Sequence, residues 1–155
     1  MDRIVELRNV IQDDLPIFFE HQRDPLALAM TDFPAREEEA FMAHWRKIMA
    51  DENTFLKTIL CDGQVAGNIL SFDMDGKREV GYWLGRDFWG MGIASEALTQ
   101  VLGLVAMRPL YAHVSKRNRA SRRVLEKCGF IVIGEDVWEP LPGEKEIEEY
   151  VLELR

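Results

Sequence analysis

The sequence predicts a mixed α/β sandwich of the α+β type, a mostly antiparallel sheet of six to seven strands with helices on both faces. Three observations lead there. Two hairpin signals, Asp62-Gly63 and Asp75-Gly76, separate strand-like runs in the middle of the chain. The last of these runs breaks at Trp89-Gly90-Met91-Gly92 and resumes with Ile93, Ala94, Ala97, Leu98, Val101, Leu102 and Val105 at helical spacing. That helix must stop before Pro109, beyond which Leu110 to Ser115 is strand-like again. A strand, a helix and a strand in succession favour a parallel pair joined by a right-handed crossover.

The elements follow in order. Arg3 to Val10 alternates as a first strand. Asp13-Asp14 and Pro16 open a helix whose apolar face is Leu15, Phe18 and Phe19, ending near Arg23 before Asp24-Pro25. Leu26 to Met30 reads as a short helical piece before the turn at Thr31-Asp32-Phe33-Pro34. From Arg36 to Ala50 a second helix places Phe41, Trp45, Ile48 and Met49 on one stripe, which makes Trp45 a core residue. Strands follow over Thr54 to Cys61, Val65 to Phe72 and Arg78 to Leu84, the last of which leads into the glycines. After the crossover, Asn118 is placed as N-cap and Gly129 as stop of a helix from Arg119 to Cys128. Two last strands, Phe130 to Trp138 and Glu146 to Leu154, flank Pro140-Leu141-Pro142-Gly143. The order is β-α-α-β-β-β-α-β-α-β-β, with no repeats or linkers, so residues 1–155 form one domain.

Composition narrows the function. An apolar fraction of 47% and a charged fraction of 30% are ordinary for a globular protein. No apolar run approaches a membrane span and no signal peptide is visible, so a cytoplasmic location is expected. Cys61 and Cys128 lack metal-ligand spacing and read as reduced core thiols. The net charge of −8 argues against nucleic acid as partner. Yet Lys116, Arg117, Arg119, Arg122 and Arg123 cluster in one short stretch. A basic patch on an acidic body fits an anionic cofactor and a cationic substrate, though a solvated helix face reads the same way.

The turn from Trp89 to Gly92 points to an anion independently of that patch. Two glycines allow tight turning and close approach of backbone to a ligand. The helix behind them points free N–H groups and its positive dipole end into the turn, a construction suited to phosphate. A dinucleotide-binding domain is a rival, since Gly90-Met91-Gly92 starts a G-x-G pattern. Its sixth position is Ser95, however, and no acid closes the next strand, which ends Ser115-Lys116. No G-K-[ST] is present.

The strand with "FWGMGIASEAL", followed by "NRASRRVLEKCGF", resembles the GNAT acyl-CoA-dependent N-acyltransferases, and within them the RimJ/RimL-like branch. The resemblance covers the chain in element order and is sharpest from Glu79 to Phe130. It implies acetyl-CoA in a V-shaped gap between the strand ending at Leu84 and the strand starting at Leu110. The pantetheine arm would pair with backbone of Tyr82, Trp83 and Leu84. The pyrophosphate would rest on N–H groups of Trp89, Gly90, Met91, Gly92, Ile93, Ala94 and Ser95. Asn118 would contact the arm, and Ser121 would lie near the sulfur. Two departures stand out. Where the family often has Gln or Arg three residues before the first glycine, this chain has Asp87, with Arg86 one residue earlier. Side-chain help for the phosphates then falls to Arg86 or to the basic helix. Where several branches carry a tyrosine seven residues after the Asn, this chain has Leu125. The proton donor to the leaving thiolate is then Ser121, another group, or water.

Transfer to an amine needs a neutral amine, donors for the oxyanion and a stabilised thiolate. An α-amine with a pKa of about 7.7–8.0 is easier to deprotonate than a lysine amine at about 10.4. Glu79, at the start of the strand beside the acyl group, is the candidate base; the alternatives are a pairing with Arg78, Lys77 or a backbone N–H, a cap on the strand edge, or a water chain as the base in its place. Ser121 and Asn118 serve as capping residues, as site residues, or as both. His21, His44 and His113 form no triad or metal spacing, and His113 alone lies beside the gap as a candidate proton relay. Tyr111 and Trp138 either line the acceptor pocket or fill the core. No cysteine is placed to carry an acyl group, which favours direct transfer in a ternary complex. The expected activity is acetyl transfer to a primary amine, a protein N-terminus or a small cationic compound, by a monomer or homodimer without metal. A non-catalytic acyl-CoA-binding sensor or interaction module is the alternative.

Overall fold

Two Asp-Gly turns fold the centre of the chain into a meander. Asp62 and Asp75 adopt φ 51 and 52 and are followed by Gly63 and Gly76 at φ 82 and 79. Two successive positive φ values match the right-handed twist of the flanking strands. The turns join β2 (Phe55–Cys61), β3 (Gln64–Met74) and β4 (Lys77–Leu84). In this computed structural model, which describes residues 3–31, 36–139 and 146–155, these strands belong to a seven-stranded sheet. β1 (Val5–Asn9) lies outside β2. Beyond β4 come β5 (Leu110–Ser115), β7 (Ile147–Leu154) and, at the far edge, β6 (Ile131–Trp138). Every neighbouring pair is antiparallel except β4 with β5.

Helices cover both faces, as the apolar stripes require. On one face α4 (Ile93–Leu104) buries Ile93, Ala94, Ala97, Leu98 and Val101, and α5 (Arg119–Lys127) buries Leu125. They close a core with Ile59, Ile69, Leu110 and Leu152 of the sheet. On the other face α1 (Leu15–Gln22) and α3 (Glu38–Met49) join Leu15, Phe18, Phe19, Phe41 and Trp45 in a second core. Trp45 is a core residue, its ring 4.9 Å from that of Phe18. The short helical piece expected over Leu26 to Met30 is a helix, α2 (Pro25–Thr31), which stands with α1 and α3 between β1 and β2. Asp13-Asp14 lie in a 3-10 turn that precedes α1. The turn expected through Asp32-Phe33-Pro34, the segment Pro140 to Gly143 and the side chain of Trp138 lie outside the described residues. Among the described residues no helix is long and apolar enough to cross a membrane.

Asp14 fixes the entry to α1. It is buried and receives Arg8 at 2.7 and 2.9 Å, the Ile11 N–H at 3.0 Å and the Thr58 hydroxyl at 2.6 Å. One carboxylate thereby ties β1, β2 and the helical layer together. Burial pushes its pKa up, but Arg8, Ile11 and Thr58 outweigh burial and hold it below the usual carboxylate value. A depressed folded pKa contributes stability that is fully present above the unfolded value of about 3.9 and is lost as pH falls through the folded one. Asp14→Asn should cost about 1.5–3 kcal/mol in urea unfolding at pH 7, the range for hydrogen bonds to a charged group. The deficit should shrink as the pH is lowered past 4, because only the wild type loses stabilisation there.

Candidate functional site

The parallel pairing between β4 and β5 is short. Arg78 pairs with Leu110 and Glu79 with Tyr111, and there the register ends. β4 continues to Leu84 against β3 alone, and β5 continues to Ser115 against β7 alone. The strands part like a V, and each turns a row of backbone N–H and C=O groups toward the opening. Backbone groups in such a place need partners. An elongated ligand carrying amides can supply them as an added strand would.

The wide end of the V is closed by the glycine turn. Gly90 and Gly92 adopt φ 71 and 77, and a Cβ built on either meets no protein atom within 4 Å. The space in front of this turn is open, and only glycine holds its backbone without strain. Gly92 is the N-cap of α4 and, having no side chain, leaves the first N–H groups of the helix uncapped. α5 differs, since its Asn118 Oδ1 accepts the Ser121 N–H at 3.2 Å. Of these two helices, it is therefore α4 whose N-terminus offers donors to an anion. Arg86 is engaged elsewhere, with Nε 3.2 Å from Asp24, which leaves the basic face of α5 as the nearer source of side-chain charge. Within α5, Arg122 pairs with Glu126 at 3.1 Å and stacks over Tyr150.

Two cavities occupy the V. The first, of about 250 Å³, holds Tyr82, Trp83, Leu84, Trp89, Gly90, Gly92, Ile93, Ala94, Ser95, Asn118 and Ser121 in its wall. All the residues expected to hold the cofactor line it except Met91, which is 39% exposed and turns its side chain to solvent. The second, of about 550 Å³, lies toward the apex and is lined by Glu79, His113, Asp136 and Glu149, among others. Tyr82, Trp83, Asn118 and Ser121 border both, so the two spaces meet there.

At the apex Glu79 is buried, 3% exposed, and its Oε1 lies 2.6 Å from His113 Nδ1. The pairing foreseen with Arg78 or Lys77 does not form. Arg78 instead reaches Ser71 Oγ at 2.9 Å and the Asn53 carbonyl at 2.7 Å. Glu79 raises the His113 pKa above its usual value, by the hydrogen bond first and by charge besides, with Glu149 and Asp136 adding to it against the effect of burial. His113 Nε2 faces Asp136 at 3.9 Å. Tyr111 lines neither cavity. It sits where β4 and β5 are still paired, before the gap opens, and carries Lys77 Nζ over its ring at 5.0 Å. Cys61 is buried in the core, and neither cysteine lines a cavity. Among the described residues no group of three or more His, Cys, Asp or Glu is arranged to hold a metal.

Residues 5–131 match the Acetyltransferase (GNAT) domain family. The chain belongs to this family. The Bacillus subtilis (strain 168) protein named "Putative ribosomal N-acetyltransferase YdaF" is 30% identical over 103 residues, which are 62% of this chain and 56% of that protein. The chain thus matches little more than half the length of that relative. Spermidine N-acetyltransferase from Vibrio cholerae, solved with CoA and spermine, superposes with a TM-score of 0.81 at 15% identity over 97% of this chain and 94% of its own. RimL, a ribosomal L7/L12 alpha-N-protein acetyltransferase solved with coenzyme A, superposes with a TM-score of 0.76 at 21% identity over 95% of this chain and 92% of its own.

For a GNAT domain the glycine turn and the open seam fit coenzyme A, which brings a pyrophosphate and an arm with two amides. Sequence reasoning used only the backbone of Tyr82 and missed its hydroxyl. It also missed Ala27, Met30 and Thr31 of α2 in the first cavity, and Asp136 and Glu149 in the second. The strand register carries the acids: Glu149 of β7 lies opposite Ser115 of β5 and Asp136 of β6. CoA at 100 times its Kd should add about 2.7 kcal/mol to the stability of the wild type, seen as a rise in Tm. Gly92→Trp should abolish that rise, since its side chain must project into the open space before the turn. A Gly92→Trp protein that folds and still responds to CoA like the wild type would place the phosphates elsewhere.

Proposed function

We propose that this protein is an acetyl-CoA-dependent N-acetyltransferase of the RimJ/RimL-like branch, formed by one domain over residues 1–155. It moves the acetyl group directly to a primary amine, that of a small cationic compound or a protein N-terminus. The observation that carries this reading is the meeting of two cavities at Tyr82, Trp83, Asn118 and Ser121, one backed by a helix N-terminus and the other by acids. A thioester in the first and an amine in the second would be in reach of each other. The walls contain no cysteine to carry the acyl group, in keeping with direct transfer in a ternary complex. The second cavity has Glu79, Asp136 and Glu149 in its wall and, among the described residues, no Lys or Arg, which favours a cationic acceptor.

In this reading Trp89, Gly90, Met91, Gly92, Ile93, Ala94 and Ser95 hold the pyrophosphate by backbone N–H groups. Tyr82, Trp83 and Leu84 pair with the arm, and Asn118 contacts it. Coenzyme A supplies the activated acyl group as a thioester. Glu79 works through His113: Nδ1–H donates to the Glu79 carboxylate, which leaves Nε2 of the neutral imidazole to accept the proton of the incoming ammonium. Glu79 thus strengthens the base and fixes its tautomer, as a carboxylate does for a catalytic histidine. Backbone N–H groups along the splayed strand serve the oxyanion.

Release of free thiol from acetyl-CoA, followed across a panel of diamines, polyamines and peptides with free N-termini, tests the assignment. Amine-dependent release is expected. CoA binding with no release under any amine would instead identify a sensor or interaction module. The pH profile tests the base. Because Glu79 raises the His113 pKa, activity should rise with pH through a value above 6.5. Glu79→Gln should move that limb down toward 6.5 and lower the plateau rate, because the imidazole becomes a weaker base. A limb that stays in place would remove His113 and Glu79 from the reaction.

A further inference from the structure

Tyr82 carries a hydroxyl that the reading above does not use. The side chain rises from β4 and donates to Ser121 Oγ at 2.9 Å, across to the first turn of α5. Both residues border both cavities. Ser121 is itself fixed by its backbone, whose N–H is held by Asn118 Oδ1 at 3.2 Å. A serine hydroxyl has one proton to give and two lone pairs that accept. Tyr82 occupies a lone pair, and among the described residues no acceptor takes the Ser121 proton. That proton is free to turn toward the space where the cavities meet. Leu125, at the position where the resemblance would place a tyrosine, is buried and offers no donor.

We propose that Tyr82 is a positioning residue for transfer, aiming and polarising the Ser121 hydroxyl toward the leaving sulfur, where position 125 holds a leucine and no donor. This rests on the transferase reading given above. As the C–S bond breaks, its electron pair stays on sulfur, and the amine pair forms the new C–N bond. Ser121 donates a hydrogen bond to the thiolate as its charge develops. A chain of two hydroxyls in a low-dielectric site strengthens that bond by polarisation. One ammonium proton leaves through His113 to solvent before attack, a second leaves the nitrogen to solvent as the tetrahedral intermediate collapses to the amide, and the thiolate, whose conjugate acid resembles a cysteine thiol with a pKa of about 8.5, takes a proton from solvent on release. Tyr82 keeps its own proton throughout. Burial, the largest influence, pushes its pKa up to about 12, although the Ser121 hydrogen bond opposes this. The phenol is thus a fixed donor at any working pH.

The test is a double-mutant cycle read at saturating amine and acetyl-CoA, with Kd for CoA and Tm measured on each protein. Tyr82→Phe keeps the ring and removes only the hydroxyl. It should lower kcat roughly 10- to 100-fold, at or below the low end of proton-transfer catalysis, and leave Kd for CoA within about twofold. Ser121→Ala should lose at least as much. The double variant should be no slower than Ser121→Ala alone, because the Tyr82 hydroxyl acts only through Ser121. Full kcat in Tyr82→Phe, or losses that multiply in the double variant, would overturn the proposal while wild-type turnover keeps the transferase reading intact. A loss confined to Kd or Tm would likewise overturn it, by showing a packing role. A wild type that releases no thiol with any amine would overturn both.

Discussion

The early end of pairing between β4 and β5 is the constraint on which the site depends. Two paired positions, Arg78 with Leu110 and Glu79 with Tyr111, hold the sheet continuous, and beyond them the strands diverge. Divergence is possible because each strand keeps a full partner on its other side, β3 for β4 and β7 for β5. The sheet therefore does not lose its integrity when the seam opens. What it loses is satisfaction of the facing backbone groups, and this turns an interior seam into a binding surface. The apolar face of α4 docks under the seam and brings the glycine turn to its wide end. The narrow end is bridged by Glu79 of β4 and His113 of β5 at 2.6 Å, the pair that the proposed mechanism uses as its base.

Much of this was legible in the residues, for stated reasons. The Asp-Gly turns fix the meander because they have few other uses between strands. The helical spacing from Ile93 to Val105 fixes α4 because that face is buried along its whole length. Asn118 reads as a cap from residue type and position alone, and it is one. The Glu79–His113 contact was less legible, because it depends on the parallel register of two strands distant in sequence. Once Glu79 is set opposite Tyr111, His113 follows two residues on and on the same face. The short piece over Leu26 to Met30 is a helix, Pro25 to Thr31, and its signal in the sequence is the Asp24-Pro25 start.

The second cavity resisted the sequence for a different reason. Its acids come from β6 and β7 at the end of the chain, where Asp136 and Glu149 look like ordinary solvated charges in a run of glutamates. Only the order β5-β7-β6, which inserts the last strand between the two before it, carries them to the wall of the cavity. The Tyr82 hydroxyl was hidden similarly, because its partner Ser121 lies on another element and the strand itself suggested only a backbone role.

The central claim is that the open seam takes the amide-bearing arm of coenzyme A as though it were a strand. Amide hydrogen exchange of the 80–84 segment measures this directly. CoA should slow exchange in this segment, whereas adenosine 3′,5′-bisphosphate, which lacks the arm, should leave it unchanged. Unaltered exchange at 80–84 with CoA bound and saturating would contradict the account, because the backbone groups of the seam would then be satisfied by something other than the arm.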